Sequence, residues 1–299
     1  EGGQRVVRRQ WRRGEIRQAM KVILAALVLV AGAAVAQDNS GLDQLTTRDE
    51  LRGFEPVGRV DIDGGGFCTG ALIAADLVLT AAHCVIEPDG SPVDAAKITF
   101  RAGFSRGTSL AEVPVARTIV DPSYKRSDPA PVEMVERDVA LLQLADPIPS
   151  AVISPFAVAR PGNGDEVSVV SYAAGREDAL SWQRLCKVVG REQRLIAFDC
   201  DVTYGASGAP VLDRSGYRAK IVSIISSGGE MDGKPISFGM ELPEQVDRLK
   251  AALRKGDALS VAKPEASVGL APSGMPGKPG KRIILNGGNG TGGARFVSP

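Results

Sequence analysis

The chemistry available to this sequence centres on its one histidine, His83. An imidazole titrates near neutral pH and is therefore the usual general base of hydrolytic reactions. His83 ends the run Leu-Thr-Ala-Ala-His, directly after the strand-like stretch 68–80, and Cys84 follows it. The small residues before it allow a tight turn to pack beneath the imidazole. We therefore interpret His83 as a general base and not as an isolated core or surface histidine.

A general base needs a carboxylate on its second nitrogen, which fixes the tautomer and stabilises the imidazolium. Asp138 suits this role because it opens the apolar run Val-Ala-Leu-Leu-Gln-Leu, which predicts a buried strand. An aspartate at the head of a strand is, taken alone, usually a turn residue. Asp128 and Asp146 lack such a strand. Asp138 is therefore the predicted orienting acid.

The candidate nucleophile is Ser207, within Gly-Ala-Ser-Gly-Ala-Pro at 205–210. An acyl-transfer site needs backbone N–H groups that point at the developing oxyanion, and the sharp turn this requires would be obstructed by a side chain. Gly205 and Ser207 are the predicted N–H donors of this oxyanion hole. The order His83, Asp138, Ser207 is that of chymotrypsin and differs from the orders in subtilisin and the α/β-hydrolases.

These three motifs together resemble those of trypsin-like (chymotrypsin-fold) serine peptidases, over about residues 55–255. The resemblance implies a His83–Asp138–Ser207 catalytic triad. Digestive members carry an aspartate just before the nucleophile, which pairs with a new N-terminus, whereas this chain has Ala206 and no Ile-Val-Gly-Gly start. In this respect it is similar to the bacterial glutamyl-endopeptidase-like and HtrA-like branches. We expect folding, with at most a trim near Arg48 or Arg52, to suffice for activity.

Four cysteines allow three disulfide pairings. In the family that the motifs resemble, the positions of Cys68 and Cys84 form a disulfide that ties the histidine loop to the preceding strand. Cys186 and Cys200 flank one short hairpin, so we expect a second local bridge beside the nucleophile loop.

Specificity is predicted from two segments of the same resemblance. Asp201 stands six residues before Ser207, the position that lies at the base of the S1 pocket in trypsin-like enzymes. A carboxylate there favours substrates with Arg or Lys before the scissile bond. The alternative is that Asp201 is a hydrogen-bonded loop aspartate without a role in specificity. Tyr204 lies in the same segment, and Ser226 and Gly228 match the substrate-binding strand, with Ser226 placed to brace Asp138. Ile225 stands where glutamyl endopeptidases usually carry a histidine, which disfavours strict Glu specificity.

Short β-rich runs separated by Gly, Pro, Asp and Asn predict an all-β fold. The resemblance implies two six-stranded antiparallel β-barrels with a C-terminal helix. Pro243 suits the first turn of this helix, and Gly256 suits its end. The predicted strands cover 57–62, 69–73, 77–80, 97–102, 139–144, 166–171, 195–199, 209–212, 219–225 and 236–241.

The chain ends differ in composition from this domain. Met20–Ala36 has a basic start, a short apolar run and an A-x-A pattern, which predicts a secretory signal peptide cleaved after Ala36 within an upstream extension of 1–36. A membrane anchor is the alternative, but the run is short of the ~20 residues that span a bilayer. We expect a short segment at 37–49, the peptidase domain at 50–256, and a disordered Gly/Pro-rich tail at 257–299.

The predicted function is therefore a secreted or periplasmic serine endopeptidase that acts on protein or peptide substrates. The net charge of +1 gives no indication of nucleic acid or membrane binding. No Cys/His cluster has zinc-binding spacing, so neither metal nor cofactor is expected, and the chain is expected to be a monomer. One alternative is a catalytically silent secreted binding protein on the same fold. Another, an HtrA-like chaperone-protease, is disfavoured because the tail is too short for a peptide-binding domain.

Overall fold

The computed structural model describes residues 41–162, 166–231 and 234–262, with the backbone alone at 230 and 231. The predicted signal peptide lies outside the described residues, as does the predicted tail from 263 onward. The described part is built mainly from antiparallel strands, with two α-helices and two short 3-10 turns. None of the helices in this part combines the length and the hydrophobicity that a bilayer-spanning helix needs.

The first barrel is an antiparallel sheet of six strands: β2 (Val57–Ile62), β3 (Gly66–Ala74), β4 (Leu77–Thr80), β5 (Ile98–Ala102), β6 (Ala111–Val120) and β7 (Ala140–Leu144). These strands follow the order β6-β5-β2-β3-β4-β7, and pairing of β6 with β7 closes the barrel. In β5, Ile98, Phe100 and Ala102 are buried while Thr99 and Arg101 are partly exposed, as the two-residue period of a strand requires.

The second sheet contains nine strands: β1 (Leu42–Leu45), β8 (Ala157–Val158), β9 (Glu166–Ala173), β10 (Arg176–Glu192), β11 (Leu195–Phe198), β12 (Pro210–Asp213), β13 (Lys220–Ile224), β14 (Ser227–Met231) and β15 (Lys234–Met240). Eight of them follow the order β14-β15-β11-β10-β9-β12-β13-β8, and β1 pairs with β10. Only Ile225 and Ser226 separate β13 from β14, and the Ser223 hydroxyl on β13 bonds to the Met240 backbone on β15, so the sheet curls back on itself.

The helices pack on the outside of these sheets. Helix α1 (Val132–Val135) is a single turn just before Asp138, and α2 (Pro243–Lys255) begins at its proline and ends at Gly256 in the left-handed conformation. The buried face of α2 carries Val246, Leu249 and Leu253, at the spacing that predicted the helix. The 3-10 turns cover Ala82–Cys84 and Ala95–Lys97.

Thr69 on β3 joins the two sheets. Its hydroxyl donates to the Gly205 carbonyl (2.8 Å) and accepts the Tyr172 N–H (3.0 Å), and its own N–H donates to the Ser207 carbonyl (2.9 Å). A threonine of the first barrel therefore holds the nucleophile loop of the second.

These observations confirm the predicted chymotrypsin-like all-β class with its C-terminal helix, although the second sheet carries additional short strands. The tail prediction is wrong for 257–262. A last strand, β16 (Ser260–Val261), pairs with β6 there, and Leu259 N–H donates to the Thr118 carbonyl (2.7 Å). At the other end, β1 pairs with β10 ahead of residue 50. Strand packing thus extends beyond both predicted limits of the domain.

Candidate active site

His83 lies in the 3-10 turn that follows β4, and its side chain is buried. The Cys68–Cys84 disulfide (S–S 2.04 Å) ties this turn to β3, as predicted. Arg126 fixes the same turn from outside, because its Nη1 donates to the His83 carbonyl (2.8 Å) and to the Ile86 carbonyl. Both constraints hold the imidazole at the interface between the first barrel and the second sheet, which we call the seam.

Asp138, between α1 and β7, is the direct partner of His83. Its Oδ2 lies 2.7 Å from His83 Nδ1, and its Oδ1 accepts the His83 backbone N–H at 2.8 Å. A third donor comes from the second sheet, where the Ser226 hydroxyl bonds to Oδ2 at 2.6 Å. The aspartate therefore accepts hydrogen bonds from the ring and backbone of His83 and from Ser226, in a site that is closed to solvent.

The charge state of Asp138 follows from these contacts. Burial acts to raise its pKa, but the charge of His83 and the hydrogen bonds from His83 and Ser226 outweigh burial, so the pKa is lowered from its ordinary 3.8. An ionised carboxylate can only accept, so the ring proton of a neutral imidazole must reside on Nδ1. This leaves Nε2 with a free lone pair, which is the form that a general base requires.

Tyr124 is a further neighbour that interacts with the Asp138 carboxylate. Burial, followed by the charge of Asp138 and a hydrogen bond to it, raises the pKa of the Tyr124 hydroxyl well above its ordinary 10. The phenol therefore stays neutral and remains a donor beside the carboxylate.

The nucleophile loop packs directly on the strand end that carries His83. Gly208 has φ +77°, and a Cβ there would lie 2.2 Å from Thr80 Oγ1 and 2.4 Å from the Thr69 carbonyl oxygen. Its N–H donates to the Ile225 carbonyl at 2.7 Å. A glycine is therefore required at this position both by its backbone conformation and by its close approach to the first barrel. This contact places Ser207 at the seam.

Two buried side-chain atoms at the seam have no hydrogen-bond partner among the described residues, namely His83 Nε2 and Ser207 Oγ. Within the same described part, the N–H groups of Gly205 and Ser207 donate to no protein acceptor. Buried polar groups are nearly always paired, so these unpaired groups are candidates to bind a ligand. A base, a hydroxyl and two N–H donors are the groups needed for acyl transfer.

A cavity of about 270 Å³ opens beside His83 on the first-barrel side. It is lined by Phe67, the Cys68–Cys84 disulfide and Arg126 among others. The sulfur atoms of this disulfide lie close to His83, but they are bonded to each other and are not thiolate ligands for a metal.

The predicted specificity residues lie on the second sheet. Asp201 is half-buried, and its N–H donates to Gln183 Oε1 at 2.9 Å. Burial lowers the pKa of the Arg176 guanidinium, and the negative charge of Asp201 opposes that lowering, so the two groups interact. Tyr204 is 48 % exposed, and Gly228 is buried in β14 opposite Ser237.

The second predicted disulfide is also present, because Cys186 on β10 is bonded to Cys200. It closes the β10–β11 hairpin close to Asp201. Two disulfides in one domain are typical of proteins that fold in an oxidising compartment.

Sequence reasoning missed Thr69, Tyr124, Arg126 and Arg176. Each acts through a contact between segments that are distant in the chain. Although Thr69 lies in the stretch 68–80 that precedes His83, none of these contacts is visible in a local sequence pattern.

The closed antiparallel barrel, the second curled sheet and the seam between them define the chymotrypsin-like fold class. A solved structure entitled "Structure of Glu endopeptidase in complex with MPD" has this fold. It superposes with a TM-score of 0.60 at 19% sequence identity, covering 73% of this chain and 100% of that one. At that identity the likeness concerns the fold alone.

Residues 68–217, half of the chain, match the family model described as trypsin-like peptidase domain, and the chain belongs to this family. Human serine protease 56 is 38% identical over 103 residues, which is 34% of this chain and 15% of that protein. Rat serine protease 23 is 27% identical over 255 residues, or 70% of this chain and 64% of that protein. The chain thus spans less than two thirds of the length of either relative.

Proposed function

We propose that this protein is an active serine endopeptidase with His83, Asp138 and Ser207 as its catalytic triad. The observation that supports this best is the state of the imidazole. A buried aspartate lies 2.7 Å from Nδ1 and orients the ring, while Nε2 and the Ser207 hydroxyl have no hydrogen-bond partner among the described residues and are available to a substrate. Catalytic hydrogen bonds are often long without substrate and tighten only in the complex.

In the proposed mechanism, Ser207 Oγ attacks the substrate carbonyl carbon while His83 Nε2 takes the hydroxyl proton. The carbonyl π bond opens, and its electron pair forms an oxyanion that accepts hydrogen bonds from the N–H groups of Gly205 and Ser207. Asp138 stabilises the imidazolium by remaining ionised. His83 then protonates the leaving amine, the C–N bond breaks, and a water molecule activated by the same base hydrolyses the acyl-enzyme.

Substrate binding is proposed along β14. This strand stands at the end of its sheet and pairs with β15 on one side. An extended peptide can add to such an edge through main-chain hydrogen bonds. The polypeptide would then pass Ser226 and Gly228 on its way to Ser207.

For the residue before the cut, Arg176 changes the weight of the two interpretations of Asp201. The negative charge of Asp201 acts on the nearby Arg176 guanidinium, although no ion pair joins the two among the described residues, and we take this nearby cation as support for the loop aspartate over a binding site for a substrate Arg or Lys. Asp201→Asn tests this directly. An unchanged cleavage preference is expected, whereas loss of cuts after Arg and Lys would restore Asp201 as the base of the pocket.

The activity itself is tested with the full chain, its disulfides formed, beside the Ser207→Ala variant. Both proteins are treated with a serine-directed fluorophosphonate and with a mixed peptide library. Labelling and cleavage by the parent alone are expected. A folded parent that is as inert as the variant, also after limited trimming near Arg52, would instead support the silent binding protein.

We also propose that the protein is exported, to the periplasm or the cell exterior, and that its signal peptide is cut after Ala36. The two disulfides support this, because such bonds persist in oxidising compartments. N-terminal sequencing of exported protein should begin at Gln37. Retention of the whole chain in the cytoplasm would contradict the proposal.

A further inference from the structure

A cavity of about 420 Å³ lies far from the catalytic groups. It is enclosed by the segment before β2 (52–56), the loop after β7 (150–156) and the β12–β13 turn (214–219), and we call it the arginine cavity. Strand β12 runs away from Ser207 and β13 runs back to Ser226, so the turn is at the far end of both strands. Four residues of strand correspond to about 13 Å, which separates the cavity from the seam.

Positive charge dominates the lining of the arginine cavity. Arg52, Arg214 and Arg218 line it, together with one carboxylate, that of Glu55. Glu55 accepts the Gly53 N–H at 2.7 Å, and Arg52 forms an ion pair with Asp49 at 3.1 Å, so Arg214 and Arg218 carry the positive charge that has no ion-pair partner in the described part of the chain. The chain as a whole has a net charge of only +1, so this excess is local and does not reflect the composition.

Two of these arginines have no acidic partner among the described residues. Arg218 donates to a neutral group, the Ser154 hydroxyl, at 2.6 Å. Arg214 stacks on aromatic rings, and the neighbouring carboxylate of Asp213 is turned to the Ser215 N–H at 2.8 Å. Both guanidinium groups are exposed to solvent and have N–H donors to offer to a ligand.

The Arg214 guanidinium is fixed in place before any ligand arrives. It lies over Trp182 (4.4 Å to the ring centroid) and over Phe54 (5.3 Å), and these two rings are 5.0 Å apart. Stacking orients the guanidinium plane and leaves its edge free for a carboxylate. Less side-chain entropy is then lost on binding than for a free surface arginine.

Apolar groups surround the charges. Tyr217 is fully exposed and Val152 is 57 % exposed, and the wall below them includes Phe156. An exposed tyrosine beside arginines is a composition that is enriched where proteins bind other chains. The site therefore suits a ligand that carries negative charge and apolar side chains together.

We propose that the arginine cavity is an exosite that binds an acidic peptide segment bearing apolar residues, supplied by a partner protein. Carboxylates of the segment pair with Arg214 and Arg218, and an apolar side chain contacts Tyr217 and Phe156. A sulfated polysaccharide would use the charges but not the apolar wall, which is why a peptide is favoured. Binding does not depend on peptidase activity and goes beyond the function proposed above.

The test measures binding of a fluorescent peptide of Glu and Leu by anisotropy, with full-length protein carrying Ser207→Ala so that the peptide stays intact. The matched peptide replaces Glu by Gln. In the variant Arg214→Gln/Arg218→Gln, affinity for the acidic peptide should fall on the order of tenfold or more. The control Arg254→Gln/Lys255→Gln loses the same charge on exposed positions of α2 and should bind as the parent does.

Replacing Arg214 also removes its packing on aromatic rings and could alter folding. The single variant Arg218→Glu is therefore included, because the only hydrogen bond described for the Arg218 side chain is to the Ser154 hydroxyl. It should weaken binding while the thermal melting curve stays unchanged. Three results would each overturn the proposal. They are binding of the Gln peptide as tight as that of the Glu peptide, an equal loss of affinity in the α2 control, and binding of a heparin fragment without binding of the acidic peptide.

Discussion

The hydrogen bond from Ser226 to Asp138 offers a sharp test of the site, because its neighbour provides a matched control. Ser226 Oγ donates to Asp138 Oδ2 at 2.6 Å, whereas Ser227 Oγ is equally buried and has no partner among the described residues. A hydrogen bond to a charged group contributes about 1.5–3 kcal/mol. We expect Ser226→Ala to lower the free energy of unfolding at pH 7 by about this amount.

The Ser227→Ala control removes a buried hydroxyl that is not paired in the described structure. Removing an unsatisfied polar group is nearly neutral or stabilising, so the two alanine variants should differ in size and even in sign. Urea denaturation followed by circular dichroism measures both. Equal destabilisation of the two variants would refute the reasoning.

The effect should also depend on pH. The folded-state pKa of Asp138 is lowered, so its stabilising contribution is present above the unfolded value of about 3.9 and is lost as pH falls through the folded value. Ser226→Ala removes one of the causes of the lowering and should move this loss to higher pH. Denaturation series between pH 7 and pH 2 should therefore show the parent and the variant converging at the acid end.

Three further predictions concern the framework of the site. Gly208→Ala should lower the free energy of unfolding by more than about 2 kcal/mol, because overpacking adds to backbone strain. Gly256→Ala, at φ +94° with no atom within 4 Å of the added Cβ, should lower it by only about 1 kcal/mol. Replacing Cys186 and Cys200 by alanine should lower stability by about 3 kcal/mol, since the bond closes a short loop. Glu136→Ala should cost about 1–3 kcal/mol, because its buried carboxylate accepts a backbone N–H at 2.9 Å; chemical denaturation measures all three.

Each of these predictions has its own control. The exposed Glu133 on α1 should tolerate alanine with little change. The cysteine variant is compared with its parent in reductant, where the difference should largely disappear. Gly208→Ala and Gly256→Ala of equal stability would contradict the packing argument, and a stable Glu136→Ala would contradict the buried hydrogen bond.

The sequence predicted the parts of the fold that are determined locally. Strands β2 and β4 occur as predicted because alternation and flanking turn residues define them, and α2 begins and ends at its Pro and Gly. The cysteine pairs were predicted by their spacing and by family resemblance. His83 and Asp138 stand in direct contact because β4, which ends just before His83, pairs with β7, which begins just after Asp138.

What the sequence did not predict depends on contacts between distant segments. Strand β10 extends from Arg176 to Glu192 with several register shifts, so its apolar residues do not alternate and its full length has no simple pattern. Strand β6 contains Pro114 and is stabilised by two neighbours in the closed barrel. Arg126 reaches the carbonyl of His83 across 43 positions, and no periodicity encodes such a contact.

The placement of the candidate site at the seam has a consequence for the making of the protein. The base and acid belong to the first barrel, while the nucleophile and the serine that braces the acid come from the second, more than 60 positions later in the chain. On the proposed mechanism, a chain synthesised only as far as the first barrel contains His83 and Asp138 but lacks Ser207, and it cannot hydrolyse a peptide bond. Activity would begin only when the two halves dock, which protects unfinished copies of the chain from each other.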